Sequence, residues 1–156
     1  MRTVTFEVSR IVPQTPAAIA ARIADTDSWS TFDGYGPLPG IERAEYETRT
    51  PEMAGSRIRV YNADGSNHVE AIEEWAPGER IVIRLGEFQA PLSRIASHFV
   101  EHWRFEECGA PDGGTLVSRR FEMIPHSPLM LPALWLISRL MRGAVDRHMQ
   151  RLVEER

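Results

Sequence analysis

"HFVEH", residues 98–102, satisfies H-x-x-E-H, the spacing with which one group of zinc peptidases holds its metal on a helix. Two periods compete for this segment. Leu92, Ile95, Phe99 and Trp103 recur at helical spacing, whereas Phe99, Trp103 and Phe105 fall on the odd face of a strand. The β-rich residues run into "CGAPDGG" (108–114), a turn signal with Pro, Asp and two adjacent Gly, and this favours the strand. On a strand, His98 and His102 stand roughly 13 Å apart along the chain. Zinc needs its nitrogens at about 2.0–2.1 Å. His68, His126 and His148 add no helpful spacing, so the expectation is a strand with no bound metal and no cofactor.

The strand reading has a second consequence. If Phe99, Trp103 and Phe105 face inward, Glu101 faces inward with them. On the run at 114–124, Val117, Arg119, Phe121 and Met123 share a face. Centring the turn on Ala110 or Pro111 places Arg119 opposite Glu101 or Trp103, so acid and base are direct or diagonal neighbours. Charged groups on an aromatic wall are costly to desolvate and need a partner, a wet cavity, or both. Two readings follow: a pair lining a ligand cavity, or a structural ion pair near its mouth.

Working outward, residues 3–11 alternate, with Val4, Phe6 and Val8 on one side. Thr15-Pro16 starts a helix over "AAIAARIAD", and "TDSWSTF" gives a second short one. "DGYGPLPG" (33–40) reads as a mobile loop. Strands are expected at 41–49, 56–62, 67–75 and 79–86, an antiparallel meander continued by the hairpin of 97–107 and 114–124. From Ser127 the period becomes helical, with Leu134, Ile137, Met141, Val145 and Leu152 on one stripe and the regular helix starting at Pro132. The sum is one α+β domain over 1–156: a strand, two short helices, six strands and a long C-terminal helix.

Bulk properties narrow the chemistry. A net charge of -4 argues against a nucleic-acid partner. All 18 basic residues are Arg, so Schiff-base chemistry and a lysine base are excluded. A lone cysteine, Cys108, and a polar, alternating N-terminus without an apolar signal core lead to the expectation of a cytoplasmic protein. "PLMLPALWLISRLM" is apolar on nearly all sides but too short to span a bilayer, so no stable membrane insertion is expected. It packs on the core, walls a cavity with Trp135 or Leu136 at the entrance, makes a homodimer contact, or touches a membrane transiently.

Three stretches, "VPQTPAAIAARIADTDSW", "VEAIEEWAPGERIVIR" and "HWRFEECGAPDGGTLVSRRFEM", resemble the helix-grip superfamily of START-like and polyketide-cyclase-like proteins (SRPBCC), related to the major birch-pollen allergen. The resemblance covers essentially the whole chain. It implies an antiparallel sheet of about seven strands around the C-terminal helix, with an internal cavity for a hydrophobic small-molecule ligand. It leaves several functions open, because the superfamily includes cyclases, lipid and quinone carriers, and chaperone-activating interaction modules. For a cofactor-free cyclase or dehydratase, Arg119 would stabilise an enolate or alkoxide and Glu101 would act as general acid or base. The ligand wall would comprise Trp29, Tyr61, Phe99, Trp103, Phe105, Val117, Phe121, Trp135, Ile137 and Met141. Tyr61 and His68 depend on which way strands 56–62 and 67–75 face, which the pattern leaves undecided.

Overall fold

The computed structural model describes residues 2–109 and 113–155. Strand β1 (Val4–Val12) leads through helix α1 (Pro16–Ala24) and a 3-10 turn (Thr26–Thr31) to a two-strand hairpin, β2 (Gly34–Tyr35) and β3 (Leu38–Pro39). Then come β4 (Ile41–Thr48), β5 (Arg57–Asn62), β6 (Asn67–Ala76) and β7 (Arg80–Gly86). One helical turn, α2 (Leu92–Ile95), precedes β8 (Ala96–Glu107) and β9 (Thr115–Pro125), and α3 (Leu131–Glu154) ends the chain. Seven strands form one sheet in the order β1-β9-β8-β7-β6-β5-β4. Every neighbouring pair is antiparallel. The first strand thus pairs with the last, and α3 lies against the face that both present.

Local chemistry accounts for the elements that shape the interior. Thr15 Oγ1 accepts a hydrogen bond from the Ala18 amide at 3.1 Å, and Pro16 opens the first turn of α1. That helix buries Ile19, Ala20 and Ile23. Arg10, the one charge on the inner face of β1, reaches the edge of α3, where Asp146 and Gln150 accept its hydrogen bonds at 2.7 and 2.8 Å. Near the C-terminus of α3, Gln14 Nε2 donates to the Leu152 carbonyl at 2.9 Å and Arg22 pairs with Glu155.

Several expectations change in detail. "HFVEH" lies in β8, and the helical period that competed with it has a real source: Leu92 and Ile95 belong to the turn α2. "TDSWST" is a 3-10 turn, too short for a full α-helix. The residues at which the β8–β9 turn was centred, Ala110 and Pro111, lie outside the described residues. The flanking register is nevertheless set, with Trp103 opposite Arg119 and Glu101 opposite Phe121.

The segment 33–40 is fastened to α3. The Tyr35 ring lies on Gly143, where an added Cβ would stand 2.8 Å from the ring carbons. Arg147 sits over the same ring at 5.3 Å, and Arg151 pairs with Asp33. Glycine costs a helix interior about 1 kcal/mol relative to alanine, and here the contact with Tyr35 explains its use. In a Tyr35→Ala background, Gly143→Ala should therefore stabilise by about 1 kcal/mol. In the wild-type background it should gain less or destabilise. Chemical denaturation of the four proteins of this cycle checks the difference.

Candidate functional site

The inner faces of β8 and β9 carry the central polar group of the site. Alternation buries Phe99, Glu101, Trp103 and Phe105 on one strand and Val117, Arg119, Phe121 and Met123 on the other. Because Arg119 stands opposite Trp103, it reaches Glu101 diagonally. Its Nε donates to Glu101 Oε2 at 2.7 Å, and Nη2 lies 2.6 Å from the same oxygen. Its guanidinium carbon is 4.1 Å from the centre of the Trp103 ring. Both side chains are nearly fully buried, at 5% and 6% exposure.

The third member is His148 of α3. Arg119 Nη1 lies 3.0 Å from His148 Nδ1. Arginine only donates, so Nδ1 accepts and the ring proton sits on Nε2. Nε2 lies 3.2 Å from Thr31 Oγ1, which donates in turn to the Ser28 carbonyl at 2.7 Å. A chain of hydrogen bonds thus runs from β8 through β9 and α3 to the 3-10 turn.

Electrostatics follow from this burial. Desolvation, aided by Arg119 and then by Arg22 and Arg151, holds His148 down at a pKa of about 3. Burial pushes the Glu101 carboxyl above the ordinary carboxylate range; Arg119 pulls it back and Glu70 adds to the rise.

Beside this chain lies a cavity of about 390 Å³. Its walls are mainly apolar: Ile19 and Ile23 of α1, Ile83 and Leu85 of β7, Phe99, Trp103 and Phe121 of β8 and β9, and Ile137, Leu140 and Met141 of α3. Pro37, Asp64, Ala90 and Pro91 combine lining positions with solvent exposure. They mark the mouth between the β2–β3 hairpin, the β5–β6 turn and the segment before α2. A second polar group lines the cavity on β5 and β6. His68 Nε2 lies 2.9 Å from Glu70 Oε2, and Asn62 Nδ2 lies 3.2 Å from His68 Nδ1. With Asn62 Nδ2 donating to Nδ1, the Nε2 proton points at the Glu70 carboxylate.

Nine of the residues singled out from sequence meet at the cavity: Trp29, His68, Phe99, Glu101, Trp103, Arg119, Phe121, Ile137 and Met141. Four do not. Tyr61 points to the opposite face of the sheet, where its hydroxyl donates to Glu45 at 3.1 Å and its ring carries the Arg43 guanidinium. Trp135 is 55% exposed on the outer side of α3, beside Arg139. Phe105 and Val117 are buried opposite one another, nearer the β8–β9 turn and outside the cavity lining.

The zinc arrangement also falls to strand geometry. His98 and His102 face away from Glu101, and His102 Nε2 lies 2.6 Å from Glu122. Glu70, Asn62 and His148 went unrecognised as site residues. The spacing of His148, seven after Met141, was the available signal for its position on the inner helix stripe.

Comparison with known proteins agrees with this architecture. The chain matches, over residues 3–155, the family model described as polyketide cyclase/dehydrase and lipid transport, and it belongs to that family. Among solved structures it is similar to Ara h 8.0201, with a TM-score of 0.69 and 14% identity over 99% of this chain and 100% of the other. A START superfamily protein from Mycobacterium smegmatis gives 0.72 and 14%, over 96% and 97%. The di-domain ARO/CYC StfQ of the steffimycin biosynthetic pathway gives 0.67 and 17%, over 97% of this chain and 50% of the other. No curated protein sequence matches the chain. The fold is the helix-grip fold of these relatives.

Two stability measurements follow from the polar chain. Arg119→Met leaves the Glu101 carboxylate without its partner and should cost roughly 3–5 kcal/mol, much of it recovered in Glu101→Gln/Arg119→Met. For His148, the folded pKa of about 3 lies below the ordinary value, so the unfolded chain takes up the proton first as pH falls. Its stabilisation is therefore complete above about pH 6.5 and is lost progressively toward pH 3. Glu101 has the opposite sign, since a raised carboxyl pKa loses stability as pH rises. Comparison with His148→Gln isolates the histidine: between pH 8 and pH 5 the wild type should lose about 2 kcal/mol more than the variant. Urea unfolding at both pH values reads this directly.

Proposed function

We infer that the protein binds one hydrophobic small molecule in the cavity between the sheet and α3. The observation that carries this reading is the cavity itself, of about 390 Å³, lined mostly by aliphatic and aromatic side chains. That size lies in the range of roughly 300–1,000 Å³ typical of small-molecule sites. The few polar groups suit a ligand whose body is apolar and which carries one or two oxygens. Arg119 already serves Glu101 and His148, so toward a ligand it acts chiefly through its positive field. A carrier needs nothing more than this arrangement.

A second reading, cofactor-free cyclase or dehydratase chemistry on a polyketide-like substrate, draws support from the two acid-bearing groups on the cavity wall. Glu101, with its raised pKa, suits a general acid or base, and Arg119 would offset charge developing on a carbonyl oxygen. The Glu70 carboxylate, held by His68, offers a base on the neighbouring wall. The family description spans both readings.

Titration with the neutral dye N-phenyl-1-naphthylamine tests the binding reading. Saturable, one-to-one binding in the micromolar range is expected. Ile137→Trp, which fills the cavity from α3, should weaken it by about tenfold, the equivalent of about 1.4 kcal/mol. Tyr61→Trp, on the opposite face of the sheet, should leave it unchanged. Non-saturable binding, or equal loss in both variants, would count against an internal site.

A further inference from the structure

The 3-10 turn Pro128–Met130 and the first turns of α3 that follow it expose what a soluble core normally hides. Leu129 is 85% exposed, Trp135 55% and Leu136 58%. Pro132, also exposed, Trp135 and Leu136 fall at intervals of three and four residues and share one stripe on the outer side of α3, with Leu129 just ahead of it in the 3-10 turn. The stripe continues into Arg139 and Arg142, both exposed. Neither pairs with a carboxylate among the described residues. They share a shallow surface groove with Glu7 and Asp146, and Asp146 is already engaged by Arg10. The Arg139 guanidinium lies 5.3 Å from the centre of the Trp135 ring, so aromatic and cation present themselves together.

We propose that this stripe docks the protein reversibly on an anionic phospholipid surface, with Leu129, Trp135 and Leu136 entering the headgroup–acyl boundary and Arg139 and Arg142 meeting lipid phosphates. Charge is the first argument. The chain as a whole is acidic, at -4, and would be repelled by an anionic bilayer. The exposed apolar tip is nevertheless followed by two unpaired arginines, the order of groups that an interfacial helix presents. Area is the second argument against a second copy of the chain as the occupant. Three side chains expose on the order of a few hundred Å², well below the roughly 800 Å² per partner of a stable dimer.

Position gives the stripe a consequence for the cavity. Leu140 lies one helical turn beyond Leu136, lines the cavity, and is the nearest neighbour that a Cβ on Gly36 of the mouth hairpin would meet, at 3.8 Å. Docking through Leu136 therefore brings the mouth hairpin toward the lipid surface. From Leu129 to Leu136 the apolar tip is only about two helical turns long, so contact ends at the boundary and the helix does not cross the bilayer. No described helix is long and apolar enough to span one.

Vesicle flotation of the full chain tests the proposal, with phosphatidylcholine vesicles against vesicles containing 30% phosphatidylglycerol. Flotation is expected with the anionic vesicles, and 0.5 M NaCl should release most of the protein. Leu129→Ser/Leu136→Ser and Arg139→Glu/Arg142→Glu should each reduce the floated fraction at least fivefold. All four positions are exposed, and unchanged thermal melts would confirm that the variants fold. Absence of flotation, or flotation indifferent to both double variants, would overturn the proposal. So would sedimentation of the wild type as a dimer that Leu129→Ser/Leu136→Ser converts to monomer, since the stripe would then belong to a second copy.

Discussion

A carboxylate and a guanidinium buried against Trp103 and Phe121 set the terms for the rest of this molecule. Glu101 and Arg119 are almost wholly removed from water, and neither would be tolerated there alone. Two N–H groups of Arg119 converge on one carboxylate oxygen, and a third looks for an acceptor away from the sheet. A neutral histidine on the facing helix supplies it. The requirement that Arg119 be satisfied thus fixes the rotation of α3 at His148, and Thr31 carries the connection into the 3-10 turn. Two strands of one hairpin, the C-terminal helix and a turn near the start of the chain meet at one polar point.

The cavity lies beside the same polar group. The charged pair and the neutral histidine in the middle of the interface line it. The helix lies over this group, while Ile83, Leu85, Phe99 and Ile137 leave space between sheet and helix. The β2–β3 hairpin closes one side because Tyr35 lies on Gly143 and Arg151 holds Asp33. A glycine inside a 24-residue helix is thus part of how the mouth is built.

Much of the fold was legible because burial on one face writes a period into the chain. β8 from Phe99 to Phe105 and β9 throughout alternate, so Glu101 and Arg119 could be placed on one wall before their register was known. β6 was opaque for a physical reason. Val69, on the outer face, is 3% exposed, and Glu70, on the inner face, is 7% exposed. The apolar residue faces away from the cavity and the acid toward it, so hydrophobicity left the facing of His68 undecided and Glu70 unrecognised. Tyr61 misled similarly, since an aromatic in a strand is as well accommodated over an outer-face arginine as in a core. The 33–40 segment read as a free loop because its anchors, Gly143, Arg147 and Arg151, lie more than a hundred residues away. Trp135 fell on the wrong side because the start of α3 is apolar all round, and its period cannot say which face meets the sheet.

The central claim is that the space between sheet and α3 holds a hydrophobic molecule. Native mass spectrometry of gently purified protein, before and after incubation with an organic extract of its host cells, tests it most directly. The expected result is a single species heavier than the polypeptide by the mass of one small molecule, lost on unfolding and absent from the Ile137→Trp variant. Only the bare polypeptide mass in every sample, with the fold intact, would contradict it.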